Sequence, residues 1–234
     1  MSRGNSEYDL TDANQVKDYL KNVLIEYQYS CFKNEDPTGC HRLGYFHGYV
    51  DIDKEDAKEN AKKIFKMNCE KYKFGQSCDS LAGMYLHEKK YLSEKGPRDK
   101  IVGYYQKACD YSYYSACKNL GVLMLEKGDL WRDYHDTKKG RELLHSACDK
   151  KNVDSCYLLQ KLYSKKHPEK TLKFAIRGCE LDDGRSCLTA YQMYLKGYGV
   201  EKNPELAMYY QDKAKYIKRH NIACKPDESV RVTM

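Results

Sequence analysis

Ten of the eleven cysteines fall into five short-range pairs, and the pairs recur along the chain at a nearly fixed interval. Cys31/Cys40 and Cys69/Cys78 have eight residues between them, and Cys109/Cys117, Cys148/Cys156 and Cys179/Cys187 have seven. The leading cysteines are separated by 38, 40, 39 and then 31 residues. A period of this size is that of a two-helix repeat, in which each unit buries its apolar face against its neighbours. The interval of 31 predicts a shortened connection around SKKHPEK in the fourth unit.

The flanks of the cysteines repeat as well. The first cysteine of each later pair ends an amphipathic segment: KKIFKMNC, GYYQKAC, RELLHSAC and LKFAIRGC. Apolar residues stand four and five places before it, at Ile64/Phe65, Tyr104/Tyr105, Leu143/Leu144 and Phe174/Ala175, which is helical spacing. The second cysteine is expected to open the next helix. Ser77, Ser155 and Ser186 directly precede it and Ser115 lies two before, so these serines are expected as N-caps. Gly44, Gly83 and Gly121 recur inside that helix, where glycine costs about 1 kcal/mol relative to alanine, and each predicts a closely approaching neighbour. Gly197 and Gly199 mark a turn, and Pro204 suits a first helical turn. The pattern predicts an all-α solenoid of antiparallel helix pairs, about eleven helices in all. It divides the chain into a flexible N-terminus (1–11), one solenoid with a capping helix and five pairs (12–220), and a flexible tail (221–234).

Gaps of seven or eight residues do not supply the C-x2-4-C knuckle of a zinc site, and no metal site is expected. Unrelated free core thiols do not account for five occurrences at one structural phase. Local disulfides do: each pair spans a short turn, and closing a loop of about nine residues stabilises by roughly 2.6 kcal/mol in the chain-entropy model. The expected bridges are Cys31–Cys40, Cys69–Cys78, Cys109–Cys117, Cys148–Cys156 and Cys179–Cys187, with Cys224 left as a free thiol. Bridges within a helix pair, of the Cys40–Cys69 type, remain compatible with the spacing.

The net charge of +7 is carried by lysines and arginines interleaved with acids, without a like-charged block, so no nucleic-acid partner is expected. No apolar run is long enough for a transmembrane helix, and no secretory signal precedes the repeats. Bridged cysteines without a signal point to an oxidising compartment entered another way, with a cytosolic chain of reduced thiols as the alternative. The 23 tyrosines suit helix seams that are only partly dry.

Catalytic motifs are scarce. SACK (115–118) matches S-x-x-K, but the companion S-D-N and K-T-G elements are missing, so Ser115 and Lys118 are expected to play no catalytic part. His41 is expected to be solvated at a helix start. His47 and His87 fall late in the first two second-cysteine helices, where they could line one face as axial ligands or be ordinary helix-end residues. Neither C-x-x-C nor C-x-x-C-H occurs, which argues against thioredoxin-like chemistry and covalent haem attachment.

GYGVEKNPELAMYY (197–210) resembles a Sel-one-like repeat, a relative of the tetratricopeptide repeat. The paired-cysteine form resembles the cysteine-rich, β-lactamase-like branch of that family. QVKDYL (16–21), EYQYSCFKNEDPTGCHRL (26–43), FKMNCE (65–70) and the order of units are similar to a family of mitochondrial assembly factors for respiratory complex IV. The resemblance implies a protein of the intermembrane space, imported and oxidised by the machinery there, with protein partners in complex IV assembly. Two readings follow: a disulfide-stapled, non-catalytic binding scaffold, or a haem-binding thiol–disulfide oxidoreductase. Haem enters by this resemblance alone, since no residue motif establishes it.

Overall fold

The computed structural model describes residues 8–9, 11–50, 56–88 and 95–223. Among them the regular structure is helical, with eleven α-helices: α1 (Ala13–Phe32), α2 (Pro37–Tyr45), α3 (Ala57–Lys71), α4 (Gly75–His87), α5 (Lys95–Asp110), α6 (Tyr114–Leu125), α7 (Thr137–Asp149), α8 (Val153–Tyr163), α9 (Pro168–Glu180), α10 (Gly184–Lys196) and α11 (Pro204–Ala223). This is the expected all-α repeat architecture, one helix followed by five pairs. The last helix runs three residues past the expected boundary at 220, and most of the two ends expected to be flexible lies outside the described residues. None of the described helices is long and apolar enough to cross a membrane.

The starts of the helices follow from local chemistry. Asp12, Asp36, Asp136, Asn152 and Asp183 are N-caps whose side chains accept backbone N–H groups of the first turn. Pro37, Pro168 and Pro204 occupy the first turn of their helices, where proline's missing N–H has no intrahelical partner to lose. Gly197 ends α10 in the left-handed conformation (φ 70°). The short connection expected in the fourth unit is the stretch 164–167 between α8 and α9. Two irregular elements carry no signal in the sequence pattern. A π-turn, Phe46–Val50, continues α2, and a 3₁₀ turn, Asp129–Tyr134, buries Trp131 ahead of α7.

The chain divides into two compact units, Met1–Ala116 and Cys117–Met234. In the first, α1 to α5 pack in series, each of α2 to α5 against the helix before it. Phe65 of α3 is fully buried with Ala61 and Leu81, and Gly44 of α2 lies against its ring: a Cβ there would come within 2.6 Å of it. In the second unit α7 to α11 pack in the same serial way, around Leu144, Leu159 and Phe174 and then Leu172, Ala190 and Met193. Gly121 and Gly140 bring two backbones together, since a Cβ on either would lie 2.9 Å from the carbonyl oxygen of the other. Gly83 departs from expectation. A Cβ there would meet nothing within 4 Å, so no close neighbour accounts for this glycine.

Candidate functional site

The turn between each first-cysteine helix and the next is the unit in which the distinctive chemistry sits. Among the described residues five non-glycine residues have positive φ: Glu35, Lys73, Ser112, Lys151 and Asp182, one in each cysteine turn and each five residues before the second cysteine. In the three turns with seven intervening residues the hydrogen bonds are those of a Schellman motif. The N–H of Lys151 donates to Cys148 O (3.0 Å) and that of Asn152 to Ala147 O (2.9 Å). The same two bonds recur from Ser112 and Tyr113 to Cys109 and Ala108, and from Asp182 and Asp183 to Cys179 and Gly178. Asn152 and Asp183 then serve as N-caps of the following helix, so termination and initiation share one residue. The first two turns carry one extra residue, and the long bond runs from Asp36 N–H to Ser30 O (3.1 Å) and from Phe74 N–H to Asn68 O (3.4 Å). That insertion is the difference between gaps of eight and seven.

This turn brings the cysteine Cα atoms together: 4.3 Å for Cys31/Cys40, 4.9 Å for Cys69/Cys78, 4.8 Å for Cys148/Cys156 and 4.6 Å for Cys179/Cys187, each pair joined through sulfur. Cys109 in the first unit and Cys117 at the start of the second are also in the disulfide-bonded state. Nine of these ten cysteines are buried, and Cys109 alone is partly exposed. Cys224 lies outside the described residues.

The residues just before the two cysteines pack against each other with complementary sizes. Ser30 faces Gly39, Asn68 faces Ser77, and Gly178 faces Ser186. The expected serine N-caps are corrected here. The second-cysteine helices begin three residues before the cysteine (α4 at Gly75, α8 at Val153, α10 at Gly184), so Ser77, Ser155 and Ser186 sit inside the first turn. They are buried and belong to the joint. Ser155 Oγ donates to Asn152 Oδ1 (2.7 Å) and Ser186 Oγ to Asp183 Oδ2 (2.5 Å), while Gln160 Nε2 donates to Ser186 Oγ (2.9 Å).

His41 is likewise not solvated. Its Nδ1 lies 3.0 Å from Ser77 Oγ, and its ring packs on Phe65 and Phe74. Asn68 Nδ2 donates to Ser77 Oγ (2.7 Å) and to Pro37 O (2.8 Å), which leaves the Ser77 hydroxyl proton for His41 Nδ1. Desolvation lowers the imidazole pKa to about 4, so the ring is neutral at physiological pH. His41 is therefore part of the joint. His47 packs edge-on to Phe46 in the π-turn, and His87 is exposed at the end of α4. In the second unit His145 Nε2 pairs with Tyr163 OH (2.9 Å) beside Phe174. Among the described residues no group of three or more His, Cys, Asp or Glu side chains could hold a metal ion. Ser115 lies in the first turn of α6 with Lys118 one turn on.

The Sel1 repeat family matches residues 37–68, 115–152 and 187–215. These stretches cover the α2/α3, α6/α7 and α10/α11 pairs. "Cytochrome c oxidase assembly factor 7" of Xenopus tropicalis is 32% identical over 222 residues, covering 90% of this chain and 92% of its own. The protein of that name in Danio rerio is 30% identical over 87% of this chain and 90% of its own, and a Drosophila melanogaster homolog is 27% identical over 87% and 89%. A Sel1 repeat protein from Oxalobacter formigenes superposes with a TM-score of 0.65 at 17% identity, over 87% of this chain and 83% of that one. An antigen of uropathogenic Escherichia coli with the same repeat fold gives 0.64 at 16% identity, over 83% and 41%. At such identities the two structures establish the fold alone.

Proposed function

Since the chain belongs to the cytochrome c oxidase assembly factor 7 family, we propose that it assists assembly of respiratory complex IV as a disulfide-stapled, protein-binding scaffold in the mitochondrial intermembrane space. The observation that carries the reading is the burial of the sulfurs. Nine of the ten paired cysteines are inaccessible, which suits bridges that hold helices and does not suit bridges that turn over. The bridges in turn favour an oxidising compartment over the reducing cytosol.

The test is rescue in cells lacking the protein. Wild type and Cys224→Ser should both restore complex IV, and affinity capture from intact mitochondria should retrieve assembly partners. The protein should resist external protease until the outer membrane is opened. Protease sensitivity without that step, or reduced thiols at all five pairs, would refute the assignment of compartment.

A second reading, thiol–disulfide exchange on assembly partners, draws on one observation: the partial exposure of Cys109. In that exchange a partner dithiol attacks Cys109 Sγ and leaves as a disulfide, while Cys109 and Cys117 become two thiols. Retained complex IV rescue by Cys109→Ala/Cys117→Ala, with the fold intact, would remove this reading. Spectral titration with haem tests the other part of the alternative.

A further inference from the structure

We propose that a groove on the first unit, bounded by α3, α4 and α5, binds an acidic, aromatic-containing peptide segment of a protein partner. Lys66, Lys100 and Lys107 line it together with Tyr85, Tyr104 and Gly103, around a volume of about 250 Å³. All three lysines are exposed, and none has a carboxylate within ion-pair distance among the described residues. Other lysines of this unit find acids: Lys71 pairs with Glu35 at 2.7 Å, and the buried Lys62 pairs with Glu59 and Glu88. Three neighbouring ammonium groups, unpaired among the described residues, form a field that an anionic partner neutralises.

The walls carry a second requirement. The Tyr85 and Tyr104 rings lie 6.0 Å apart, and Lys107 Nζ sits 5.2 Å over Tyr104. Such a surface accepts an apolar or aromatic side chain between charges. Glu70 accepts a 3.4 Å hydrogen bond from the Tyr104 hydroxyl and so holds that ring in place. The volume falls below the roughly 300–1,000 Å³ usual for small-molecule sites and fits the side chains of a peptide better than a cofactor. Gly103 keeps the groove open: a Cβ at this position would meet nothing within 4 Å. A larger residue there fills the groove without displacing the fold.

The inference does not depend on the complex IV assignment, and its test needs only the purified, oxidised full chain. The probe is a short fluorescein-labelled peptide of glutamates with interspersed tyrosine, read by anisotropy. Lys66→Ala/Lys100→Ala/Lys107→Ala and, separately, Gly103→Leu are each expected to weaken binding about tenfold or more. Lys138→Ala/Lys139→Ala/Lys150→Ala removes the same charge from exposed positions of the second unit and should weaken it less than about twofold. Melting curves matching wild type show that Gly103→Leu acts by filling the groove. Equal losses in the two lysine triples, unchanged affinity in Gly103→Leu, or no binding by wild type would overturn the proposal. So would displacement of the peptide by inorganic phosphate, or by phosphatidylglycerol vesicles, at matched anion concentration.

Discussion

Exchanging the two small residues of the first joint should be nearly neutral, although each change alone is damaging. A Cβ on Gly39 would lie 2.1 Å from Ser30 Oγ and 2.6 Å from Ser30 Cβ. A rotamer change can move the oxygen but not the carbon, so Gly39→Ser must shift backbone, at a cost of about 1–3 kcal/mol. Ser30→Gly removes the hydroxyl that donates to Asp36 Oδ2 (3.1 Å) and places glycine in a helix, together about 1–2 kcal/mol. In the fifth joint the sizes are reversed: Gly178 faces Ser186, whose Oγ donates to the N-cap Asp183. The double variant Ser30→Gly/Gly39→Ser rebuilds that arrangement, with the hydroxyl introduced on α2 supplying Asp36. Its cost should be about 0.5–1 kcal/mol, against about 3.5 kcal/mol if the single effects simply added, a coupling of some 2 kcal/mol or more. Urea unfolding followed by circular dichroism under non-reducing conditions measures this, with free-thiol titration confirming intact bridges. For a chain of this length the singles should lower Tm by about 2–4 °C per kcal/mol. Additivity within about 0.5 kcal/mol, or a neutral Gly39→Ser, would refute the account of the joint.

Replacing Cys148 and Cys156 by alanine should cost about 2.5 kcal/mol, from the entropy of an eight-residue loop, in the same urea assay. The double serine variant should cost about 1–2 kcal/mol more, because both sites are fully buried and a hydroxyl there competes with an apolar shell. Lys151→Gly should stabilise by up to about 1 kcal/mol by relieving the φ of 67°, whereas Lys151→Val should destabilise by more than about 1 kcal/mol. For His41 the folded pKa of about 4 lies below the ordinary value of 6.5, so the unfolded chain binds more protons between those values. Stability is therefore full above pH 6.5 and declines as pH falls toward 4. His41→Phe should flatten that part of the pH profile of Tm, and an unchanged profile would show that His41 does not titrate as described.

The cysteine period and the flanking apolar positions make the helix pairs legible, because both report the same 3.6-residue face and the same repeat length. The left-handed turn residue is not legible. That conformation favours glycine or asparagine, and the positions hold Glu35, Lys73, Ser112, Lys151 and Asp182. Asp182 apart, no local preference marks them. The serines mislead by three positions for a related reason: the Schellman turn hands its last residue to the next helix as the N-cap, so Asn152 and Asp183 do the capping that the sequence suggests for Ser155 and Ser186. His41 reads as solvated because its enclosure comes from Phe65 and Phe74, both on later segments. The lysine groove is also hidden, since Lys66 and Lys100 meet only when α3 and α5 share a wall.

Covalent closure accounts for how unfavourable turn residues persist at five places. A left-handed L-residue costs roughly 1–2 kcal/mol, and a local bridge offsets about 2.5 kcal/mol by restricting the unfolded chain. The two terms act on different states, so the bridge lowers the entropy lost on folding while the turn strain stays in the native structure. A turn secured in this way does not need glycine, and its exposed positions can carry charge: Lys71, in the last turn of α3, pairs with Glu35 of the preceding cysteine turn, and Arg185 at the start of α10 pairs with Asp154 of α8 and Asp183. Elsewhere on the helices stand the exposed lysines of the groove and exposed tyrosines such as Tyr209 and Tyr216, residue types suited to a binding surface.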